Sequence, residues 1–154
     1  MMSARFDRLI AKMPELLRVL KSNPLLNRDN LVDIPRQGVY VFYESKKALY
    51  VGRSNRMKER MQEHSRQSSD NYSATFALRL AKEEYGRNRV IPKSMTNKEL
   101  LNIGEFKSLF SKAKERVACM EIRVLESEDQ VEQTLLEIYA ALSLKTKYND
   151  FGTH

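Results

Sequence analysis

Two tyrosines stand beside glycines in mirrored triplets, Gly38-Val39-Tyr40 and Tyr50-Val51-Gly52. Arg53 follows at once, and Arg56, Arg60 and His64 then recur every fourth residue. A carboxylate, Glu137, and an amide, Asn149, stand far downstream and twelve residues apart. These residue types suit work on a phosphate ester. A guanidinium forks onto phosphate oxygens and keeps its charge at any relevant pH. A phenol, with an ordinary pKa of ~10, is a poor base until nearby cations lower it. Cutting a phosphodiester needs an activated water, stabilisation of charge on the phosphate oxygens and help for the leaving oxygen.

The elements that must position these groups follow from periodicity. Residues 5–21 read as a helix with Phe6, Leu9, Ile10, Met13, Leu16, Leu17 and Leu20 on one face, and Pro14 is expected to open a second helical piece. Ser22 to Arg36 reads as a connection. Residues 38–43 and 48–52 are β-branched and aromatic around a polar turn, the pattern of an antiparallel hairpin. Ser54 or Asn55 caps a helix reaching about Arg66, with Met57 and Met61 facing the core beside the Arg56, Arg60 and His64 stripe. Residues 73–85 are helical and stop at Gly86. Thr96 and Glu99 form a capping box, opening a helical stretch to Lys114 that breaks near Gly104. Residues 117–125 are expected to alternate as a third strand, with Cys119 a small core residue in it. The last helix, 129–143, is expected to turn Val131, Leu135, Ile138 and Leu142 inward. The sum is an α/β domain over 1–154, its small three-stranded antiparallel sheet made of the hairpin plus a later strand. A helical extension covers 1–33 and a helical insert 67–116.

Composition bounds the rest. The chain has 154 residues, 27 Lys+Arg against 20 Asp+Glu, and 42% hydrophobic residues. That supports one real core and excludes wholesale disorder. The surplus of +7 favours a polyanionic partner, nucleic acid first. No apolar run approaches the ~20 residues of a membrane span. The alternating N-terminus speaks against a secretory signal. A single cysteine excludes an internal disulfide framework and a thiolate zinc site, and suits a reducing cytoplasm.

With both tyrosine triplets, the Arg53-Ser54-Asn55 run, Arg60 and the closing Leu135-Leu136-Glu137 and Lys147-Tyr148-Asn149 elements in this order, the chain resembles the GIY-YIG nuclease superfamily. Within it, the likeness is greatest to the N-terminal incision domain of the bacterial nucleotide-excision nuclease. It covers roughly residues 34–66 and 117–150, leaving the first helix and the insert outside. The resemblance implies a metal-dependent DNA endonuclease with one divalent ion bound through Glu137. An oxygen ligand with several waters suits magnesium or manganese. It further implies Tyr50 or Tyr40 as acceptor of the water proton, with Tyr50 favoured, and Arg60 on the phosphate. His64 would assist proton transfer or bind phosphate. Arg53, standing where a lysine is frequent, and Arg56 fall to substrate binding, and Asn149 orders the site through its amide. Both tyrosines can line one site if the hairpin register is even.

Glu132 rivals Glu137. Five helical steps separate them by about 140°, so one ion cannot easily take both. Periodicity leaves the two open, and the family's spacing to Asn149 selects Glu137, with Glu132 then a solvated residue. Arg87, Arg89 and Lys93 form a basic loop that reads first as a wet charge run and second as a nucleic-acid clamp. The competing functional reading is a non-catalytic module on the same fold that holds nucleic acid or recruits a partner. A homodimer through the stripe of the first helix is compatible with either. His154 is expected to be disordered.

Overall fold

The computed structural model describes residues 3–152, and His154 lies outside them. The chain forms two compact units, one made of the residues up to Lys58 together with those from Met120 onward, the other of Glu59–Cys119.

In the first unit, helix α1 (Ala4–Ser22) starts where Ser3 Oγ accepts the Phe6 amide. The break expected at Pro14 is absent, and the helix runs through it. Burying Leu9, Met13, Leu17 and Leu20 along one face needs a single axis. The carbonyl that Pro14 leaves without an amide donor belongs to Ile10, a residue on the exposed side of the helix. Leu9, Met13, Leu17 and Leu20 of that stripe are buried inside the unit, while Phe6 and Ile10 stay exposed.

The sheet is antiparallel with four strands, not three: β1 (Leu26–Asn27), β2 (Gly38–Glu44), β3 (Lys47–Ser54) and β4 (Glu121–Glu126), in the order β1-β4-β2-β3. The added strand pairs Leu26 with Ile122 and Asn27 with Glu121. Two residues are too few to show alternation, so nothing in the Asn- and Pro-rich connection announces them. The hairpin turns on Ser45 and Lys46, both left-handed (φ 51° and 67°), as a two-residue type I′ connection requires. At Gly38 a Cβ would sit 1.9 Å from the Leu125 carbonyl oxygen, so glycine is what lets β2 lie against β4 there.

One sheet face presents Val39, Val41, Tyr43 and Val51 to α1 and to helix α6 (Gln130–Leu144). Asp129 caps α6, accepting from the amides of Val131 and Glu132, and Arg5 Nη2, donating to both carboxylate oxygens, ties that cap to α1. The inward face of α6 differs from the expected one. Gln133, Leu136, Ala140 and Ala141 are buried and Leu135 half-buried, whereas Val131, Ile138 and Leu142 are exposed, Leu142 at 68%. The two alanines present little bulk, which favours close approach to the sheet. A count of large apolar residues selects the other face.

The third strand is also shorter than expected. Residues 117 and 118 end helix α5, because Val117 continues the buried Phe106, Phe110, Ala113 series at helical spacing. Alternation begins only at Met120. Cys119 is therefore the C-cap of a helix and exposed, not a core residue of a strand.

The second unit takes most of α2 (Met57–Ser65), then α3 (Thr75–Gly86), α4 (Asn97–Leu101) and α5 (Gly104–Ala118). The Thr96–Glu99 capping box is formed in full, and the helical stretch does break before Gly104. Helices α3 and α5 pack on each other through Phe76, Ala77, Leu80 and Ala81 on one side and Phe106, Phe110 and Ala113 on the other. Lys114 is buried, and its ammonium donates to the carbonyls of Gln67 and Ser69 (2.7 and 3.0 Å) while lying over the Phe110 ring. Desolvation lowers its pKa, against the pull of Asp70.

Candidate active site

The register of the hairpin decides where the phenols go. Tyr40 pairs with Gly52 and Phe42 with Tyr50, so Tyr40 and Tyr50 share one sheet face, the one opposite Val39 and Val41. Tyr40 is buried and meets Phe42 edge-on with ring centroids 5.7 Å apart, while Tyr50 is half-buried. The Tyr40 ring lies across Gly52: a Cβ there would come within 2.2 Å of the phenolic oxygen and 2.3 Å of Cζ. The glycine of the second triplet is thus the floor on which the tyrosine of the first one rests. Gly52→Ala is expected to cost ~1–3 kcal/mol of stability, the scale of overpacking in a tight core. Most of that cost should vanish when Tyr40→Ala is present as well. A double-mutant cycle in urea checks it, and additive losses would show that the two positions do not meet.

Glu137 extends from α6, half-buried, with its Oε1 4.0 Å from Arg53 Nε at the end of β3. Burial pushes its pKa above the usual carboxylate value, and Arg53 only partly opposes this. Glu132 points elsewhere and is not the solvated residue expected. It accepts from Ser127 Oγ (2.7 Å) and pairs with Lys12 (3.1 Å), so its oxygens serve the α1–α6 contact.

Asn149 acts on β3 itself. Its Oδ1 accepts the Val51 amide (2.8 Å), and its Nδ2 donates to the Val51 carbonyl (2.7 Å). Thr146 Oγ1 donates to the same Oδ1, and the Tyr148 amide donates to the Leu49 carbonyl. The side chain therefore imitates a neighbouring strand on the outer edge of β3, between Tyr50 and Gly52. Both of its polar side-chain atoms bond within the protein.

Arg60 and His64 belong to the second unit. Arg60 donates to the Ser73 carbonyl (2.6 Å) and pairs with Glu63 (3.3 Å), with its side chain mostly buried. His64 is fully buried; desolvation first and Arg60 second drive its pKa well below 6.5. It is therefore neutral at pH 7, and a cationic contact to phosphate is not available from it in this state. Arg56 is exposed, and its amide donates to Ser54 Oγ, so of the two cap candidates Ser54 turns inward to the helix start. Met57 and Met61 are buried as expected. In the basic loop, Arg87 pairs with Glu83 and Glu84, and Arg89 with Glu105 over the Tyr85 ring. These arginines are largely answered by their own neighbours, the wet-charge reading of that run.

The donor set fits one hard cation held mainly by water. Among the described residues no three His, Cys, Asp or Glu side chains cluster to enclose an ion. Glu137 is a single, partly exposed carboxylate, the kind of oxygen donor a hard divalent cation takes while keeping several waters. Sequence reasoning gave no site role to Gln133, and read Asn55 only as a cap candidate and a member of the Arg53-Ser54-Asn55 run. Asn55 and Gln133 bond to each other across the β3–α2 loop and α6. Nothing in composition or period marks Gln133, and only its spacing of four from Glu137 could have drawn notice. No helix among the described residues is long and apolar enough to cross a membrane.

A family model described as the GIY-YIG catalytic domain matches residues 36–149, about three quarters of the chain, and takes in every residue placed above from Tyr40 to Asn149. No curated protein and no solved structure matches.

Proposed function

The chain belongs to the GIY-YIG catalytic domain family, and from that premise we propose that it is a metal-dependent endonuclease hydrolysing phosphodiester bonds in DNA. The observation that carries this is the span of the match, which encloses both tyrosine triplets, Arg60, Glu137 and Asn149 in one run. The family is a nuclease family and its substrate a nucleic acid. The positive surplus agrees with a polyanionic substrate.

In this reading each group has one task. Glu137 would hold a magnesium or manganese ion, which when bound polarises the phosphate and supports the leaving oxygen. Tyr50 accepts the proton of the attacking water through its phenolic oxygen, being the more exposed phenol, and Tyr40 is the second candidate from the same sheet face. Arg60 stabilises charge on the phosphate oxygens. Arg53 keeps Glu137 ionised and Arg56 meets the substrate backbone. His64, neutral and buried, positions the α2 helix that carries Arg60. Asn149 holds the β3 edge on which Tyr50 stands. We place the protein in the cytoplasm, where the exposed Cys119 remains a thiol.

Plasmid nicking in magnesium tests the whole reading. Arg60→Ala is expected to lose ~10²–10³-fold in rate, the scale seen when one stabiliser of transition-state charge is removed. Arg87→Ala, an arginine answered by its own helix, should cut like the parent. Equal rates for the parent and Arg60→Ala would overturn the assignment. Salt-sensitive DNA binding with no cleavage, unchanged in Glu137→Ala, would instead favour the binding-module reading.

A further inference from the structure

We propose that Gln133 is the positioning residue of the Glu137 site, and that its side-chain oxygen is the outer-sphere acceptor for a water of the cation; this rests on the reading of Glu137 as the ligand. Gln133 is 0% exposed and stands four residues before Glu137 on α6. Side chains at that spacing are neighbours on one helix face. Its Nε2 donates to the Ser127 carbonyl (2.5 Å) and to Asn55 Oδ1 (3.3 Å). Asn55 also exchanges two bonds with Gln130, at 3.2 and 2.9 Å. Asn55 is two residues past Arg53, whose guanidinium lies 4.0 Å from Glu137. The end of β3 and helix α6 are therefore joined twice. The charged pair is long and imposes little direction, while the amide bonds are directional and set the separation that the charged pair experiences.

The second observation concerns the remaining atom. The Ser127 carbonyl can only accept, so the amide nitrogen must face it, and Oε1 is left as the open acceptor. Among the described residues nothing donates to it, although it is buried. A buried amide oxygen without a donor costs ~1–3 kcal/mol. A clamp alone has no use for that cost, and such groups in folded proteins point to a water or ion partner. A hydrated cation on the neighbouring carboxylate supplies the missing donor through one of its waters.

The test is manganese binding to the full chain by calorimetry, with cleavage kinetics beside it. Gln133→Leu keeps the bulk and removes the amide. It is expected to weaken manganese by ~10–100-fold, the usual effect of losing an outer-shell partner, and to lower kcat more than it raises KM. The exposed control Leu142→Gln on the same helix should bind as the parent does. Asn55→Ala, at an exposed position, is expected to fold and to weaken manganese in the same direction, so it decides the matter if Gln133→Leu does not fold. Parental manganese affinity in these variants, with binding lost in Glu137→Gln, would overturn the role of Gln133. Parental affinity in Glu137→Gln would overturn the assignment of Glu137 instead.

Discussion

Glu137→Gln is expected to silence cleavage and, without divalent ions, to make the protein more resistant to unfolding at neutral pH. The first effect follows from the proposed function, in which this carboxylate would hold the cation. Transition-state stabilisation of ~3–4 kcal/mol lost corresponds to ~10²–10³-fold in rate. The second follows from burial. The folded protein raises the Glu137 pKa above 4.5, chiefly through desolvation and against the attraction of Arg53. The folded state therefore binds this proton more tightly than the unfolded chain. The stability so gained is full below pH 4.5 and is lost as pH rises through the folded value. At pH 7 the carboxylate is ionised in a partly desolvated place and opposes folding, whereas glutamine has no charge to desolvate. Each kcal/mol relieved should raise the melting temperature by ~2–4 °C in a chain of this size. Thermal unfolding at pH 4 and pH 7 checks this, since the gain should shrink toward the acid end. Adding magnesium should then raise the melting point of the parent and leave the variant where it was. A gain of equal size at both pH values would rule out desolvation of this carboxylate as its source.

Mild acid is expected to weaken the protein through His64. The imidazole is fully buried, and desolvation together with Arg60 holds its pKa well below 6.5. The unfolded chain then binds the proton that the folded one refuses. The sign is opposite to that of Glu137: the stability is present above pH 6.5 and is lost as pH falls from there toward the folded value. Within that window the slope reaches ~1.4 kcal/mol per pH unit for a single group. Urea midpoints between pH 8 and pH 5.5 should fall on the acid side, and His64→Phe, close in volume, should flatten the curve over the same interval. A parent with level stability down to pH 5.5 would contradict the burial of the imidazole. The same measurement bears on the proposed role of His64, which as a neutral imidazole would act on Arg60 through the helix and not through charge.

Both predictions turn on residues whose type was legible and whose environment was not. His64 lies on a clean stripe with Arg56 and Arg60. The spacing is right, yet along that stripe exposure runs from the open Arg56 through the mostly buried Arg60 to the fully buried His64. A period of four states which side chains are neighbours and says nothing of what lies over them. Helix α6 teaches the same through its apolar residues. Val131, Ile138 and Leu142 make the better hydrophobic series, and the fold leaves all three exposed, burying Gln133, Leu136 and two alanines. Glu132 was assigned to solvent and is instead held by Ser127 and Lys12.

What the chain's order of residues determined by itself is whatever is short-range. The hairpin, the Thr96–Glu99 capping box, the break before Gly104 and the helix end at Gly86 each depend on contacts within a few residues, and each stands where it was read. The family motif belongs here too, since residue identity and order carry it. Tertiary structure alone decided the fourth strand, the continuity of α1 through Pro14, the helical place of Cys119, the Asn149 clamp on β3 and the polar link from Asn55 to Gln133. A two-residue strand has no period to detect. A proline is tolerated when the rest of its helix has a long face to bury. An amide declares a structural task only when an edge strand or a loop arrives to meet it.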